Sequence, residues 1–193
     1  MKKITLFFLT LIMTVCLTGC SETFEPTEST IFVASEGNVK SAIMESFDKD
    51  YYDFDELFED VEKAVKSYNL DVNEERIKVE SLTQGNDEVT LIMEYQDADC
   101  YSSFNEVLLF TGTYAEAIAA GYIPQELYDA QGQGVAAEEE SLKELNVVVT
   151  EESVCLQTSG KIKYVSDNVT ILDKKQAKAM EAGKTHPAFV LYK

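Results

Sequence analysis

The sequence predicts an α+β fold: a largely antiparallel sheet built from hairpins, with one long amphipathic helix and two or three short helices packed on it. Three observations lead to this prediction. Short runs of β-branched and aromatic residues recur with turn residues between them, which is typical of hairpins. Only one segment has a strong helical periodicity. Strands and helices do not alternate in the regular way that marks a parallel sheet.

The first predicted elements are a hairpin and the long helix. Residues 30–34 and 39–46 are rich in strand-forming residues, and the turn between them contains Gly37. Residues 53–68 place their apolar side chains on one stripe and most of their charged side chains opposite it. Asp53 begins this helix with an N-terminal capping pattern. The periodicity therefore predicts a helix with one buried face.

A second hairpin and two short helices are predicted next. Residues 76–82 and 89–95 alternate apolar and polar side chains on either side of a Gly-containing turn. Residues 97–104 favour a short helix, and residues 107–110 favour a buried strand. A capping box that begins at Thr113 predicts another short helix.

The C-terminal third is predicted to be strands separated by loops. Residues 124–141 lose all periodicity and contain an acidic run, so we expect an exposed, mobile connection with at most one short hairpin. A Lys-rich helix is expected directly before residues 183–187. Five short segments are predicted as strands: residues 145–150, 153–157, 161–165, 169–172 and 188–192.

Length and charge limit the classes of protein that the chain can represent. With 193 residues, of which 45% are hydrophobic, the chain can build one well-packed core and has little room for a second. Lys2 and Lys3 are the only charges before Cys20, so the rest of the chain carries 14 basic and 35 acidic residues, a net charge of −21. Such a domain repels phosphate backbones, and nucleic acid is therefore not expected as a partner.

The N-terminus has the order of a secretory signal peptide. Residues 1–19 contain a positive start, an apolar stretch too short to span a bilayer, and small residues before a cleavage site. The sequence Leu17-Thr18-Gly19-Cys20 resembles the lipobox of bacterial lipoproteins. That resemblance implies a diacylglycerol on the Cys20 thiol, palmitate-type acyl chains and cleavage just before Cys20. The alternative is an ordinary signal peptide with a cysteine there by chance.

This N-terminus predicts three parts of the chain and one location. Residues 1–19 are a lipoprotein signal peptide, residues 20–29 are the lipidated Cys20 with a short tether, and residues 30–193 are a single domain. The tether is polar and contains Pro26, and it reaches at most about 30 Å when extended. We therefore expect a lipid-anchored protein on the extracytoplasmic face of the cell membrane.

Three groups of residues carry a wider resemblance. Together they are similar to a group of uncharacterised bacterial lipoproteins, over most of the chain after the signal peptide. The resemblance implies one folded unit over residues 30–193 and no activity, cofactor or catalytic residue. The groups are Phe47-Asp48-Lys49-Asp50-Tyr51-Tyr52; Phe110-Thr111-Gly112-Thr113 with Glu116-Ala117 and Gly121-Tyr122; and Gly160-Lys161-Ile162 with Tyr164-Val165-Ser166 and Asn168-Val169.

Cys100 and Cys155 are the cysteines that remain once Cys16 leaves with the signal peptide and Cys20 is lipidated. Outside the cytoplasm they can form a disulfide, which would contribute about 4 kcal/mol in the chain-entropy model. The alternative is two separate buried thiols, because cysteine is common in protein cores. The sequence does not decide between the two.

The single histidine and an acidic segment are the other candidates for chemistry. His186 would have to serve any classical metal site or Ser/His pair, but no partner motif accompanies it, which favours an exposed loop histidine. Residues 48–60 contain seven acidic side chains and raise the question of calcium. Their spacing does not fit an EF-hand, and acids at a helix start also suit the helix dipole. No metal or other cofactor is predicted.

Two short motifs share residue types with known functional motifs but lack the other residues that those motifs require. Gly183-Lys184-Thr185 lacks the earlier glycine of a P-loop, since Lys178 stands there, and it does not follow a strand in the predicted arrangement. Ser46-Phe47-Asp48-Lys49 lacks the companion motifs of penicillin-binding enzymes. Neither motif predicts a function.

The sequence therefore favours a non-catalytic binding module that attaches to a protein or another envelope component through its sheet or through residues 124–141. One alternative is a small envelope hydrolase that uses carboxylates in a cleft. The other is a lipoprotein that binds a cation or a solute. The absence of a catalytic motif favours the first hypothesis.

Overall fold

The computed structural model describes residues 24–193, and these residues form thirteen strands in two sheets. The predicted signal peptide and Cys20 lie outside the described residues. Sheet A contains β1 (Thr30–Val33), β2 (Val39–Ser46), β3 (Ile77–Gln84), β4 (Glu88–Tyr95), β9 (Cys155–Thr158), β11 (Val169–Ile171) and β12 (Gln176–Ala179). Sheet B contains β5 (Leu109–Thr113), β6 (Leu127–Asp129), β7 (Gly134–Val135), β8 (Asn146–Thr150), β10 (Ile162–Ser166) and β13 (Ala188–Tyr192).

Three α-helices and one 3₁₀ turn complete the described structure: α1 (Phe54–Asp71), α2 (Ala98–Asn105), α3 (Tyr114–Ala119) and the turn Glu140–Leu142. The Asp53 side chain accepts hydrogen bonds from the first turn of α1, as the sequence predicts. The capping box of Thr113 and Glu116 is also present at the start of α3. Both local predictions are confirmed.

The predicted α+β class is wrong, because the described residues are mostly β. The helices have 18, 8 and 6 residues, against thirteen strands in two sheets. The sequence predicts most of the individual strands but places them in one sheet. Which sheet a strand joins depends on its pairing with distant segments of the chain, and no local sequence pattern shows this pairing.

Sheet A has the strand order β11-β12-β9-β1-β2-β4-β3. Its central pair is parallel, with Thr30 opposite Cys155 and Val33 opposite Thr158, while the other strand pairs in the described structure are antiparallel. Sheet B has the order β5-β8-β13-β10-β6-β7. Among the described residues, the first strand and the last strand are therefore both internal strands.

The main hydrophobic core lies on one face of sheet A, which we call the inner face. Ile31 and Val33 of sheet A pack in one cluster with Val148 and Val190 of sheet B. Helices α1 and α2 contribute to the same cluster at the β3 and β4 end of the sheet, for example through Val65. Because successive side chains alternate across a strand, the opposite or outer face of sheet A carries a separate set of residues.

A second core covers the other face of sheet B. Phe189 and Leu191 pack there against Tyr114 of α3 and against Leu127 and Leu142. Strands β8 and β13 thus have both faces covered, and Val147–Val149 and Ala188–Leu191 are at most 1% exposed. A strand that is buried on both faces has a continuous apolar run in its sequence in place of an alternating pattern, and β8 and β13 both show such a run.

Two further predictions in the C-terminal third need correction. The Lys-rich helix before residue 183 is absent, and strand β12 occupies part of that segment. Helix-forming residues such as Lys and Ala are held in a strand because Ala177 and Ala179 pack into the inner face of sheet A. Residues 124–141 do contain one short hairpin, β6 to β7, but Leu127 is fully buried, so this connection is not simply exposed.

Residues 24–29 contact the outer face of sheet A, and we call this segment the strap. The Phe24 ring stacks on Phe32 with ring centroids 5.7 Å apart. The Glu28 carboxylate forms a salt bridge with Lys178 of β12. The proposed boundary at residue 30, between tether and domain, stays a prediction.

Candidate functional site

Three aromatic rings cluster in the loop between β2 and α1. The Tyr52 ring lies 4.9 Å from that of Phe47 and 4.9 Å from that of Tyr51, measured between ring centroids. Tyr51 is 78% exposed and Tyr52 is 42% exposed. Tyr52 stacks on Phe47 and meets Tyr51 edge to face. Exposed tyrosines supply contact area with few side-chain torsions to immobilise, which is typical of binding surfaces.

The loop that carries the rings is held by backbone hydrogen bonds. The Phe47 N–H donates to the carbonyl oxygen of Asp87 over 2.8 Å, in the turn between β3 and β4. The Tyr52 N–H donates to the carbonyl oxygen of Lys49 over 3.0 Å and closes a turn. The rings are therefore presented from a fixed loop.

An apolar groove of about 290 Å³ lies between α1 and the inner face of sheet A, and the loop with the three rings joins α1 to β2 of that sheet. Ile43, which is 37% exposed, lies on the sheet side, and Val61 lies on the helix side. Phe58 lies one helical turn before Val61 and is 39% exposed, so it extends the apolar surface toward the start of α1. The remaining lining residues are Asp60, Ala64, Leu91, Met93, Phe104 and Asn105. We call the groove, with Phe47, Tyr51, Tyr52 and Phe58, the aromatic surface.

The surroundings of the aromatic surface are strongly negative. Residues 48–60 carry seven acidic side chains and one basic side chain, Lys49, which lies 3.1 Å from Asp48. Asp53 is used as the helix cap. The acidic side chains are exposed to solvent. An apolar surface with a negative rim is complementary to a ligand with apolar and positively charged groups.

A larger groove of about 760 Å³ lies between α1 and β3, but its polar groups bind one another. The Asn69 side chain accepts hydrogen bonds from the N–H groups of Arg76 and Ile77 and donates to the carbonyl oxygen of Ile77. These bonds occupy the free edge of sheet A at the start of β3. Lys78 pairs with Glu75, at 3.8 Å. A β-bulge between Val79 and Ser81 interrupts the edge further along.

The structure places His186 beside Asp167, with 2.9 Å between the Nε2 and Oδ1 atoms. Ser166 is next to this pair in sequence, yet its hydroxyl group donates to Asn168 and accepts from the Phe189 N–H. Ser166 is only 2% exposed. The cluster thus joins the turn after β10 to the start of β13 and presents no free nucleophile.

Cys100 and Cys155 are separate buried thiols in the structure, so no disulfide joins them. Cys100 belongs to α2 in the main core, with its Sγ atom 3.6 Å from the carbonyl oxygen of Arg76. Cys155 belongs to β9, opposite Thr30. Burial raises the pKa of both thiols.

A partly buried polar pair, Tyr101 and Glu152, has no signal in the sequence. The Tyr101 hydroxyl group donates to the Glu152 carboxylate over 2.8 Å. Burial raises the pKa of Glu152, which the hydrogen bond from Tyr101 opposes. Burial also raises the pKa of Tyr101. Glu152 is therefore paired with a tyrosine and not with a second carboxyl group.

No metal centre is formed by the part of the chain described here: no group of three or more His, Cys, Asp or Glu side chains in residues 24–193 could hold a metal ion. Within the same residues, no helix has both the length and the apolar character that crossing a bilayer requires. Comparison of the chain with protein-family models, curated proteins and solved structures finds no match.

Proposed function

We propose that this protein is a lipid-anchored, non-catalytic binding module on the extracytoplasmic face of the cell membrane. Cys20 carries the diacylglycerol, and the aromatic surface binds a segment of a partner protein. That segment exposes arginine or lysine next to apolar side chains. The observation that carries the binding part is the exposed pair Tyr51 and Tyr52, which meet edge to face in the loop between the two elements, β2 and α1, that help to line the apolar groove.

The anchor is supported by the sequence at residues 17–20 and by the charge of the chain. With a net charge of −21 after the signal peptide, the protein is repelled by anionic lipid head groups. Acyl chains on Cys20 are the membrane attraction that the sequence supplies. Two or more acyl chains give stable attachment, where one gives only marginal binding.

Cys20→Ala tests the anchor. We expect the wild-type protein to carry the mass of its acyl chains and to sediment with membranes, whereas the variant is released with its fold intact. Mass spectrometry and cell fractionation measure both properties. A wild-type protein without added acyl mass would contradict the anchor, as would a processed variant that stays membrane-bound.

The partner's chemistry is supported by charge complementarity. Seven acidic side chains surround the aromatic surface over residues 48–60, against one lysine that is already paired. An arginine of the partner can stack on an exposed tyrosine ring and also meet a carboxylate. The groove accepts an adjacent apolar side chain.

A peptide of alternating arginine and leucine, compared with an equally long peptide of glutamate and leucine, tests the binding surface. We expect calorimetric titration to show binding of the basic peptide only, with an affinity that falls as salt rises. Replacing both Tyr51 and Tyr52 by Ala should weaken binding about tenfold or more, the usual cost of removing central interface tyrosines. Ile123→Ala is the matched control, since Ile123 is 63% exposed and lines a different groove from that of the aromatic surface.

Two results would overturn this assignment of the surface. One is equal binding of the basic and the acidic peptide. The other is unchanged binding by the double tyrosine variant while its circular dichroism spectrum matches that of the wild type.

A further inference from the structure

The strap connects the described fold to the site of the proposed anchor. Besides the Phe24 and Glu28 contacts, the Ser29 hydroxyl accepts from the Met44 N–H over 2.9 Å and lies 3.2 Å from the Met44 carbonyl oxygen. The Thr30 hydroxyl donates to the Glu28 carbonyl oxygen over 2.7 Å. Phe32, on the outer face, is 2% exposed under this cover. The strap is therefore part of the packed structure at both of its ends.

The strap shortens the distance between the anchor and the fold. If residues 20–29 were free, they would span about 30 Å when extended. With Phe24 stacked on Phe32, the chain that remains between the Cα atoms of Cys20 and Phe24 spans at most about 14 Å. Phe24 lies on the outer face of sheet A, so this face is the one that the anchor brings to the bilayer.

The outer face of sheet A carries charged side chains of both signs. Across three strands, Lys40 of β2 lies opposite Glu94 of β4, and Glu94 lies opposite Lys78 of β3. Lys40 also forms a salt bridge with Glu80. Both lysines therefore have acidic neighbours, and Glu88, opposite Ser46, adds a further negative charge. The paired lysines offset part of the repulsion that these carboxylates meet at anionic head groups.

We propose that the outer face of sheet A docks on the lipid surface, with the strap as the element that sets this orientation. The inference rests on the proposed lipid anchor at Cys20. The groove of the aromatic surface opens on the inner face of the same sheet, through Ile43 and Leu91. Docking by the outer face therefore leaves the groove on the side away from the bilayer, where a partner can reach it.

Lysine acetylation followed by mass spectrometry tests the orientation without altering the folded domain. The processed chain that begins at Cys20 is joined through its Cys20 thiol to a maleimide-bearing phospholipid in phosphatidylcholine vesicles, with and without phosphatidylglycerol. Lys78 on the outer face and Lys143 beyond sheet B are matched probes, with side chains that are 56% and 48% exposed. We expect attachment to slow acetylation of Lys78 severalfold and to leave Lys143 unchanged.

Strap variants separate the orientation from mere attachment. Replacing Phe24 and Glu28 by Ala should free the strap, so that Lys78 regains its rate while the protein stays on the vesicle. Glu25→Ala is the matched control, because Glu25 is exposed in the same segment. Equal slowing of Lys78 and Lys143 on attached protein would overturn the docking of the outer face. Protection of Lys78 that survives loss of the strap would overturn the role of the strap in setting the orientation.

The failure of this inference can be told apart from failure of the anchor. Chemical attachment does not depend on natural lipidation, so the acetylation rates report orientation alone. The acyl mass of protein isolated from membranes reports the anchor alone.

Discussion

The burial of Glu152 makes the stability of this protein depend on pH in a defined direction, and the hydrogen bond from Tyr101 reduces that dependence. Burial raises the pKa of Glu152 above its ordinary value of 4.5. The folded protein therefore binds this proton more readily than the unfolded chain does. By linkage, the Glu152 contribution to the free energy of unfolding falls as pH rises from 4.5 through the folded pKa. Its unfavourable effect is complete above that window and absent below it.

Tyr101→Phe removes the donor and leaves the ring in place. A hydrogen bond to a charged group contributes about 1.5–3 kcal/mol. The donor-to-acceptor distance of 2.8 Å is close to ideal, but Glu152 is only partly buried. We therefore expect the free energy of unfolding at neutral pH to fall by an amount near the lower end of this range. Because this bond lowers the pKa of Glu152, its loss should raise that pKa further and widen the pH window.

Urea unfolding followed by circular dichroism measures these effects for the wild type, Tyr101→Phe and Glu152→Gln. Glutamine keeps an acceptor for the tyrosine and cannot ionise. The stability of Glu152→Gln relative to the wild type should therefore increase with pH above 4.5, and the difference should become constant below it. A difference that does not change with pH would refute the reasoning, because the other titrating groups are common to both proteins.

Two further predictions concern the described fold. Asn69→Ala should lower the free energy of unfolding by about 2–4 kcal/mol, because three hydrogen bonds to Arg76 and Ile77 are lost, and urea unfolding with Ile123→Ala as a control checks this value. Cys100 and Cys155 should resist alkylation by iodoacetamide in the folded protein and react in urea, since burial shields both thiols and raises their pKa. Mass spectrometry without reductant should find both thiols free, and a mass two hydrogens lower would contradict the arrangement.

Local signals in the sequence predicted local structure well. Asp53 caps α1 and Thr113 begins α3 because capping depends on residues three positions apart. The same holds for hairpins such as β3 to β4, where the turn and the alternation are contiguous. These predictions needed no knowledge of the remaining chain.

Features that depend on distant residues were missed. Nothing near Glu152 indicates that it meets Tyr101, which belongs to a helix far earlier in the chain. The segment that contains Ala177 has the composition of a helix and becomes a strand only because β9 and β11 pair with β12. The aromatic surface was partly visible, since the sequence shows Tyr51 and Tyr52 in an acidic segment. The sequence did not show that these two rings are exposed or that a groove lies between α1 and sheet A.

The internal positions of the first and last described strands affect how the protein can fold while it is being synthesised. A chain that leaves the ribosome N-terminus first can pair β1 with β2 early, but the other edge of β1 stays open until β9 has been made. Sheet B depends even more on a strand that is synthesised late, because β13 lies between β8 and β10. Loss of the segment Ala188–Tyr192 would remove the middle of that sheet, so we expect chains that lack this segment to misfold.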